Sequence, residues 1–407
     1  MILYYIANEK LYRFDGRKNE ELPSTALTGY IERIYQNTKA KEWKTSGSGA
    51  IFTQTLDSTD AETRIRNISI DTSCIRYTEN GVYFSQTVDA TSGLYIKHDE
   101  SDDGIVFSDN EATYTDFDIQ NDKIVIAVRS MGESHIGICP TGSVYLSMLT
   151  EGESIDSCPT WSRYEPNTIY YASAGFAIRP TRKNNSDSVD PSPMGRAISA
   201  QQQVDRRLVG PVAVYKLNTE TAEIKEILSN DHFDFIRPQT DSYGNLYFIK
   251  KPYTPNKDGG KPLSCLLDIL LFPFRLIRAL VGFLNIFSMV YSGKSIRQSQ
   301  DVAAQNKGEK ELYLDGNVIN AEKELKANRK QGEKYPGIVP RSFELCRMSP
   351  SGEISVIKKG VLTYSLSENG IYYSNGSAIL YQNSNGEETE VLKVPYVTSI
   401  SIGEGHT

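Results

Sequence analysis

The sequence predicts an all-β fold, a β-propeller of four-stranded blades closed into a ring by the N- and C-terminal strands, with a largely α-helical insertion. Three observations predict it. A short motif, in which a polar turn precedes three or four apolar β-formers, recurs along the chain. The copies are spaced like blades, and the composition is globular: 407 residues, 39% hydrophobic and 23% charged, with 25 Tyr and 14 Phe against 2 Trp.

The strong copies are Val82-Tyr83-Phe84, Ile124-Val125-Ile126, Ile169-Tyr170-Tyr171, Leu246-Tyr247-Phe248 and Ile371-Tyr372-Tyr373. Weaker ones lie at Leu3-Tyr4-Tyr5 and Ala50-Ile51-Phe52. Counted from Tyr5, Ile51, Tyr83, Val125, Tyr170, Tyr247 and Tyr372, they are separated by 46, 32, 42, 45, 77 and 125 residues. Three of these six spacings lie near the blade period of about 40–45 residues, the spacing of 32 is shorter, and the two long ones ask for insertions. The second strong copy shows the unit best. Tyr114–Ile119, Ile124–Val128, Ile136–Cys139 and Val144–Leu149 are β-rich runs separated by Gly, Asn, Asp or Pro turns. A four-stranded sheet buries both faces only when another packs on each side, and stacking around a channel supplies that. Val397–Ile402 lacks a sheet of its own, and pairing with Ile2–Ile6 and Lys10–Phe14 would complete one and close the ring.

Pro159-Thr160-Trp161-Ser162 followed by Pro166-Asn167-Thr168-Ile169-Tyr170-Tyr171 resembles the repeat of TolB-like, WD40-like propellers, Pro-x-Trp-Ser-x-Asp-Gly-x-x-Ile-x-Phe. Pro238, Asp241, Gly244 and Leu246-Tyr247-Phe248 give a second copy, and Ser367–Tyr373 a third. The resemblance covers most of residues 1–254 and 341–407. It breaks at Arg163-Tyr164-Glu165, where Pro-Asp-Gly is usual, and at Gln239-Thr240, where Trp-Ser is usual. It implies a fold rather than an activity, because such repeats serve unrelated binding roles.

Seven blades are expected, with six as the alternative. The difference rests on residues 27–72, which hold candidate strands at Ala50–Thr55 and Thr63–Ile70 and a helical candidate at Tyr30–Trp43. The propeller is thus read as 1–254, with a loop insertion at about 180–210, and 341–407. Between these parts lies an insertion over 255–340.

The second insertion is the most unusual stretch. Residues 263–291 carry 21 apolar side chains in 29 positions, broken by Pro273 and Gly282. Ser264, Asp268, Arg275, Arg278 and Asn285 fall along one line of a helix. Three readings remain open: a transmembrane span, opposed by about 2.5–3.5 kcal/mol for each mid-membrane arginine; a helix in the membrane interface; and a helix packed on the propeller or on a partner. The anchors would be Phe272, Phe274, Leu276, Leu280, Phe283, Phe287 and Met289, oriented by Arg275 and Arg278. Residues 255–340 carry net +4 and the rest of the chain −11, which favours an anionic membrane surface or an acidic partner. Further on, Glu322-Lys323-Glu324-Leu325-Lys326 suits an exposed helix.

The net charge of −7 argues against nucleic acid as a partner. Cys74, Cys139, Cys158, Cys265 and Cys346 form no CxxC pair, and no signal peptide is visible, so a reducing cytoplasm is expected, with a peripheral position at the inner membrane face as an option. No P-loop, nucleophile elbow or paired-histidine metal motif occurs, and no cofactor is expected. The acidic run from His98 to Asp103 reads as a solvated turn before it reads as a Ca²⁺ site. His232, Asp234, Arg237 and Asp241 are channel-mouth candidates, each weighed against a buried ion pair or a strand-end cap. The expected function is that of a bacterial, non-enzymatic scaffold for an unidentified protein partner. The alternative is a small-molecule hydrolase or lyase with its site in the channel.

Overall fold

The computed structural model describes residues 1–45, 68–98, 103–178, 207–254, 311–314 and 317–403. Its strands fall into four-stranded antiparallel units, and six are found among the described residues. Blade 1 is ordered Val397–Gly403, Ile2–Ala7, Lys10–Phe14, Asn19–Leu22, so the C-terminal strand is its innermost. Blade 2 runs Ile70–Thr78, Gly81–Val88, Thr91–Lys97, Asp103–Asp109. Blade 3 runs Thr113–Gln120, Lys123–Ser130, Glu133–Pro140 and the short Ser147–Met148. Blade 4 runs Ser154–Trp161, Thr168–Ile178, Ala213–Asn218, Ile224–Leu228. Blades 3 and 4 touch through one parallel bridge, Ser134 to Ile155. Blade 5 is Phe233–Thr240, Leu246–Pro252, Glu344–Met348, Ile354–Lys359, and blade 6 is Thr363–Ser367, Gly370–Ser374, Ile379–Asn383, Glu388–Leu392.

Every described copy of the sequence motif is the second strand of its blade. The reason is burial. A second strand is paired on both edges and covered on both faces, so its run is apolar throughout, as in the pattern of Gly81–Val88, where six of eight residues are buried. Fourth strands face solvent and read polar, as in Glu388–Leu392. The cores lie between blades: Ile6 and Tyr4 pack with Ile75 and Phe84, Leu94 with Phe117 and Ile126, Val125 with Trp161 and Ile169, Val214 with Phe235 and Phe248, Ile249 with Tyr364 and Leu380, and Tyr372 and Ile379 with Leu3 and Ile400. These six shared cores return to blade 1, and they make the chain a β-propeller by its own packing. Each fully buried large side chain contributes about 1.5–3 kcal/mol to that closure.

The ring closes as its ends predict, with Ile2–Ala7 antiparallel to Val397–Gly403 in the register Tyr5 opposite Ile400. Over residues 27–72 the helical candidate at Tyr30–Trp43 is borne out. Thr25–Thr45 is a helix, and Ile70 already begins the inner strand of blade 2; residues 46–67, with the Ala50-Ile51-Phe52 copy, lie outside the described residues. Ser24 caps that helix by accepting the Leu27 N–H. Asp103 of blade 2 accepts the Thr25 N–H at 2.6 Å and ion-pairs with Lys97 at 2.8 Å, so helix and blade share one buried pair.

The insertion expected to be largely helical enters between the second and third strands of blade 5. Its described part includes a hairpin, Glu311–Leu314 with Asn317–Asn320, and a helix, Ala321–Lys330, capped by Asn320. The helix bears out the charged run at 322–326. Asn328 ties its end to the ring by donating to the Gly337 and Val339 carbonyls at 2.8 and 3.1 Å. Residues 263–291, with Phe272, Phe274, Arg275, Leu276, Arg278, Leu280, Phe283, Phe287 and Met289, lie outside the described residues. No helix among the described residues is long and apolar enough to cross a membrane.

Candidate functional site in the channel and at its mouth

The innermost strands all run the same way along the axis, and four carry a bulge at mid-strand. Register slips between Thr72 and Cys74, Tyr114 and Phe117, Ser157 and Thr160, and Ile236 and Gln239. Bulges re-aim side chains. Here they bring Asp116, Cys158 and Arg237 to line the channel centre, beside Cys74 and Tyr364. Cys158 and Arg237 each precede a proline and adopt left-handed φ of 50° and 55°, a conformation costly for such residues. The bulge at Arg237 is tied to the neighbouring blade 6: Tyr364 OH donates to the Arg237 carbonyl at 2.6 Å, and Gln239 Nε2 donates to the Tyr364 carbonyl at 3.1 Å. Burial pushes the Cys74 thiol up and the Tyr364 phenol well up, so both stay protonated at neutral pH. The space left among these side chains is about 20 Å³, room for roughly one water. The channel centre is therefore plugged by its own side chains.

At the C-terminal ends of the inner strands the channel widens into a cavity of about 1320 Å³. At its inner end sits Asp118, 2% exposed. Its carboxylate accepts from Trp161 N at 2.9 Å, Thr160 Oγ1 at 3.1 Å, Arg163 Nη2 at 3.2 Å and Arg76 Nε at 3.3 Å. Asp118 thus joins blades 2, 3 and 4 and positions two guanidinium groups at the cavity wall. From there the cavity extends outward past Tyr247, Arg347, Val356 and Ile357 of blade 5 and Leu366 and Ile371 of blade 6, and on the other face of blade 6 it reaches Tyr372, Tyr381 and Asn385 beside blade 1. Tyr243, 79% exposed, stands on the rim. Its turn is fixed by Asp241, whose Oδ1 accepts the Tyr243 and Asn245 N–H groups at 2.9 Å, and by Gly244 at φ 81°.

The four channel-mouth candidates do not form one cluster. Asp241 lines the wide mouth as a turn cap, and Arg237 lies in the channel. His232 and Asp234 sit at the opposite end of Phe233–Thr240, about 20 Å from that mouth. His232 is exposed in the turn before the strand. Asp234 forms a buried ion pair with Lys251 at 3.1 Å and accepts the Val212 N–H at 2.9 Å. Sequence reasoning missed Arg76, Asp118 and Arg163. A signal existed for part of the site, since the repeat breaks at Arg163-Tyr164-Glu165 and Gln239-Thr240, and Arg163, Gln239 and Thr240 all line the mouth. Among the described residues no group of three or more His, Cys, Asp or Glu side chains is arranged to hold a metal ion.

No family model matches the chain, and no curated protein matches it either. Similar solved structures include a nidogen/laminin complex, at 5% identity and TM-score 0.47 over 98% of this chain and 97% of that one. TolB from Acinetobacter baumannii aligns at 6% identity and TM-score 0.48, over 98% of this chain and 65% of that one. The tricorn protease aligns at 11% identity and TM-score 0.44, over 97% and 34%. At such values the fold rests on the sheet order and the closed ring of cores above.

Proposed function

We propose that this chain is a six-bladed propeller scaffold that binds an extended segment of a protein partner in the cleft at the channel mouth. The observation that carries the reading is the shape of the cleft, which starts at the Asp118 cluster and runs outward between blades 5 and 6 to Val356 on a fourth strand. Crossing a four-stranded blade spans about 14 Å, so the cleft and the mouth together suit about five or six extended residues. Its lining includes the Tyr243 and Tyr247 rings, the Gln239, Asn245 and Asn369 amides and the Thr240, Ser365 and Ser367 hydroxyls, a mixture suited to a peptide's side chains and backbone. The channel centre, with room for about one water, offers little space for the hydrolase or lyase reading.

The apolar stretch 263–291 is the second contact in this proposal. Its composition supports a tether that holds the propeller at a cytoplasmic, anionic membrane face or in a larger complex. Flotation of the full chain with anionic liposomes, beside a deletion of 262–293, tests it. Co-flotation of the full chain alone supports a membrane tether, and no flotation of either removes it. The cleft is tested separately with N-acetylated, C-amidated random hexapeptides and the double variant Ser365→Trp, Val356→Trp. Peptide retention by the wild type that the variant loses is the expected result. Equal retention by both would refute the cleft.

A further inference from the structure

The inner end of the cleft carries an imbalance of charge. Asp118 faces two guanidinium groups, Arg76 and Arg163, so one positive charge is left over where the cleft meets the channel. Deeper in the channel Asp116 and Arg237 add one charge of each sign. Arg347, Asp241 and Glu368 also line the cavity, and Asp241 already accepts from its own turn. Arg163 contacts Asp118 through Nη2, and its side chain is 44% exposed to the cavity. Its Nε and Nη1 donors are directed at neither Asp118 oxygen. Arg76, 25% exposed, uses Nε on Asp118 and Nη1 on the Ile75 carbonyl at 2.9 Å, which leaves Nη2. Two planar donor groups, held by one buried carboxylate and opening on a cavity, match the geometry that takes a second carboxylate.

We infer that the segment bound in the cleft presents a carboxylate to Arg76 and Arg163, with Asp118 as the positioning residue that holds both guanidinium groups in place. The inference rests on the peptide-binding reading and names the chemistry of the inner end of that cleft. The carboxylate comes from a chain terminus or from an acidic side chain, and the cleft's length sets which. A segment lying wholly between the Arg pair and Val356 ends at the pair, whereas one that continues past the mouth offers Asp or Glu.

The test uses the full chain and three pools of N-acetylated random hexapeptides. The first lacks Asp and Glu and has a free C-terminus, the second is the same pool amidated, and the third is amidated with one Glu. Retention of the first or third pool about tenfold above the second is the expected result, and which of them is retained identifies the source of the carboxylate. Arg163→Gln should abolish that preference while the thermal melt stays within a few degrees of wild type. Arg163→Lys, which keeps the charge but loses the fork, should restore part of it. Equal retention of all three pools leaves the cleft and overturns the carboxylate. Retention of none overturns both, and a preference that survives Arg163→Gln places the carboxylate elsewhere and overturns this assignment.

Discussion

Replacing Asp118 with Asn tests the structural half of the site. The amide oxygen still accepts from Trp161 N or Thr160 Oγ1, the bonds of 2.9 and 3.1 Å, but the negative charge opposite Arg76 and Arg163 is gone. Two guanidinium groups then share a wall without a counter-charge, and the new NH₂ group faces donors. Breaking a buried pair costs about 3–5 kcal/mol. Arg163 is 44% exposed and Arg76 25%, so water recovers part of that, and a loss of about 2–3 kcal/mol is expected. Guanidinium chloride unfolding at neutral pH reads it as a lower midpoint with an unchanged slope. Arg163→Gln serves as the comparison and should lose about 0.5 kcal/mol or less, as exposed ion pairs do. If Asp118→Asn unfolds with the wild-type midpoint, Asp118 does not hold the mouth together.

Lys97→Met leaves the Asp103 carboxylate, whose side chain is 1% exposed, with the Thr25 N–H as its donor; a loss of about 3 kcal/mol is expected, with proteolysis first in Thr25–Thr45, and unaltered cleavage would contradict the shared anchor. Burial raises the thiols of Cys139 and Cys346 to about 11 and that of Cys74 above its usual range, so in the native chain at pH 8 iodoacetamide should modify Cys158, the one partly exposed cysteine among the described residues, at least tenfold faster than these three, as read by peptide mass spectrometry. The phenols of Tyr5 and Tyr170 are raised by burial to about 12 and that of Tyr373 further. A raised phenol holds its proton longer folded than unfolded, so its stabilisation is complete below the unfolded value near 10 and is lost as pH climbs through the folded one. Unfolding midpoints should thus be level across pH 7–9 and fall steeply above about pH 10, and a level profile to pH 11.5 would contradict this burial.

What the sequence made legible was whatever local periodicity encodes. Second strands such as Leu246–Pro252 are apolar because both faces are covered, and the unpaired Val397–Ile402 needed a partner, so motif, blade and closure could be read directly. Thr25–Thr45 could be read as a helix only in part, because a strand-length spacing suggested a further blade around residues whose neighbours settle the matter in space. The site was less legible. Arg76, Asp118 and Arg163 are separated by 42 and 45 residues and meet only because three inner strands end side by side. Asp234 drew attention beside His232, yet its partner Lys251 lies on the next strand in a register that no single-strand pattern reveals. The repeat's own departures at Arg163 and Gln239-Thr240 were the one written trace of the mouth.

In the proposed function the cleft between blades 5 and 6 receives the partner. The most direct measurement places the photo-crosslinker benzoylphenylalanine at Tyr243 on the rim or at Ile105, an exposed side chain on the outer strand of blade 2, and irradiates each full chain with the hexapeptide pools. Binding in the cleft should give adducts at position 243 that Ser365→Trp with Val356→Trp removes, and background labelling at position 105. Equal labelling at both positions, or adducts at 243 that persist when the cleft is filled, would contradict it.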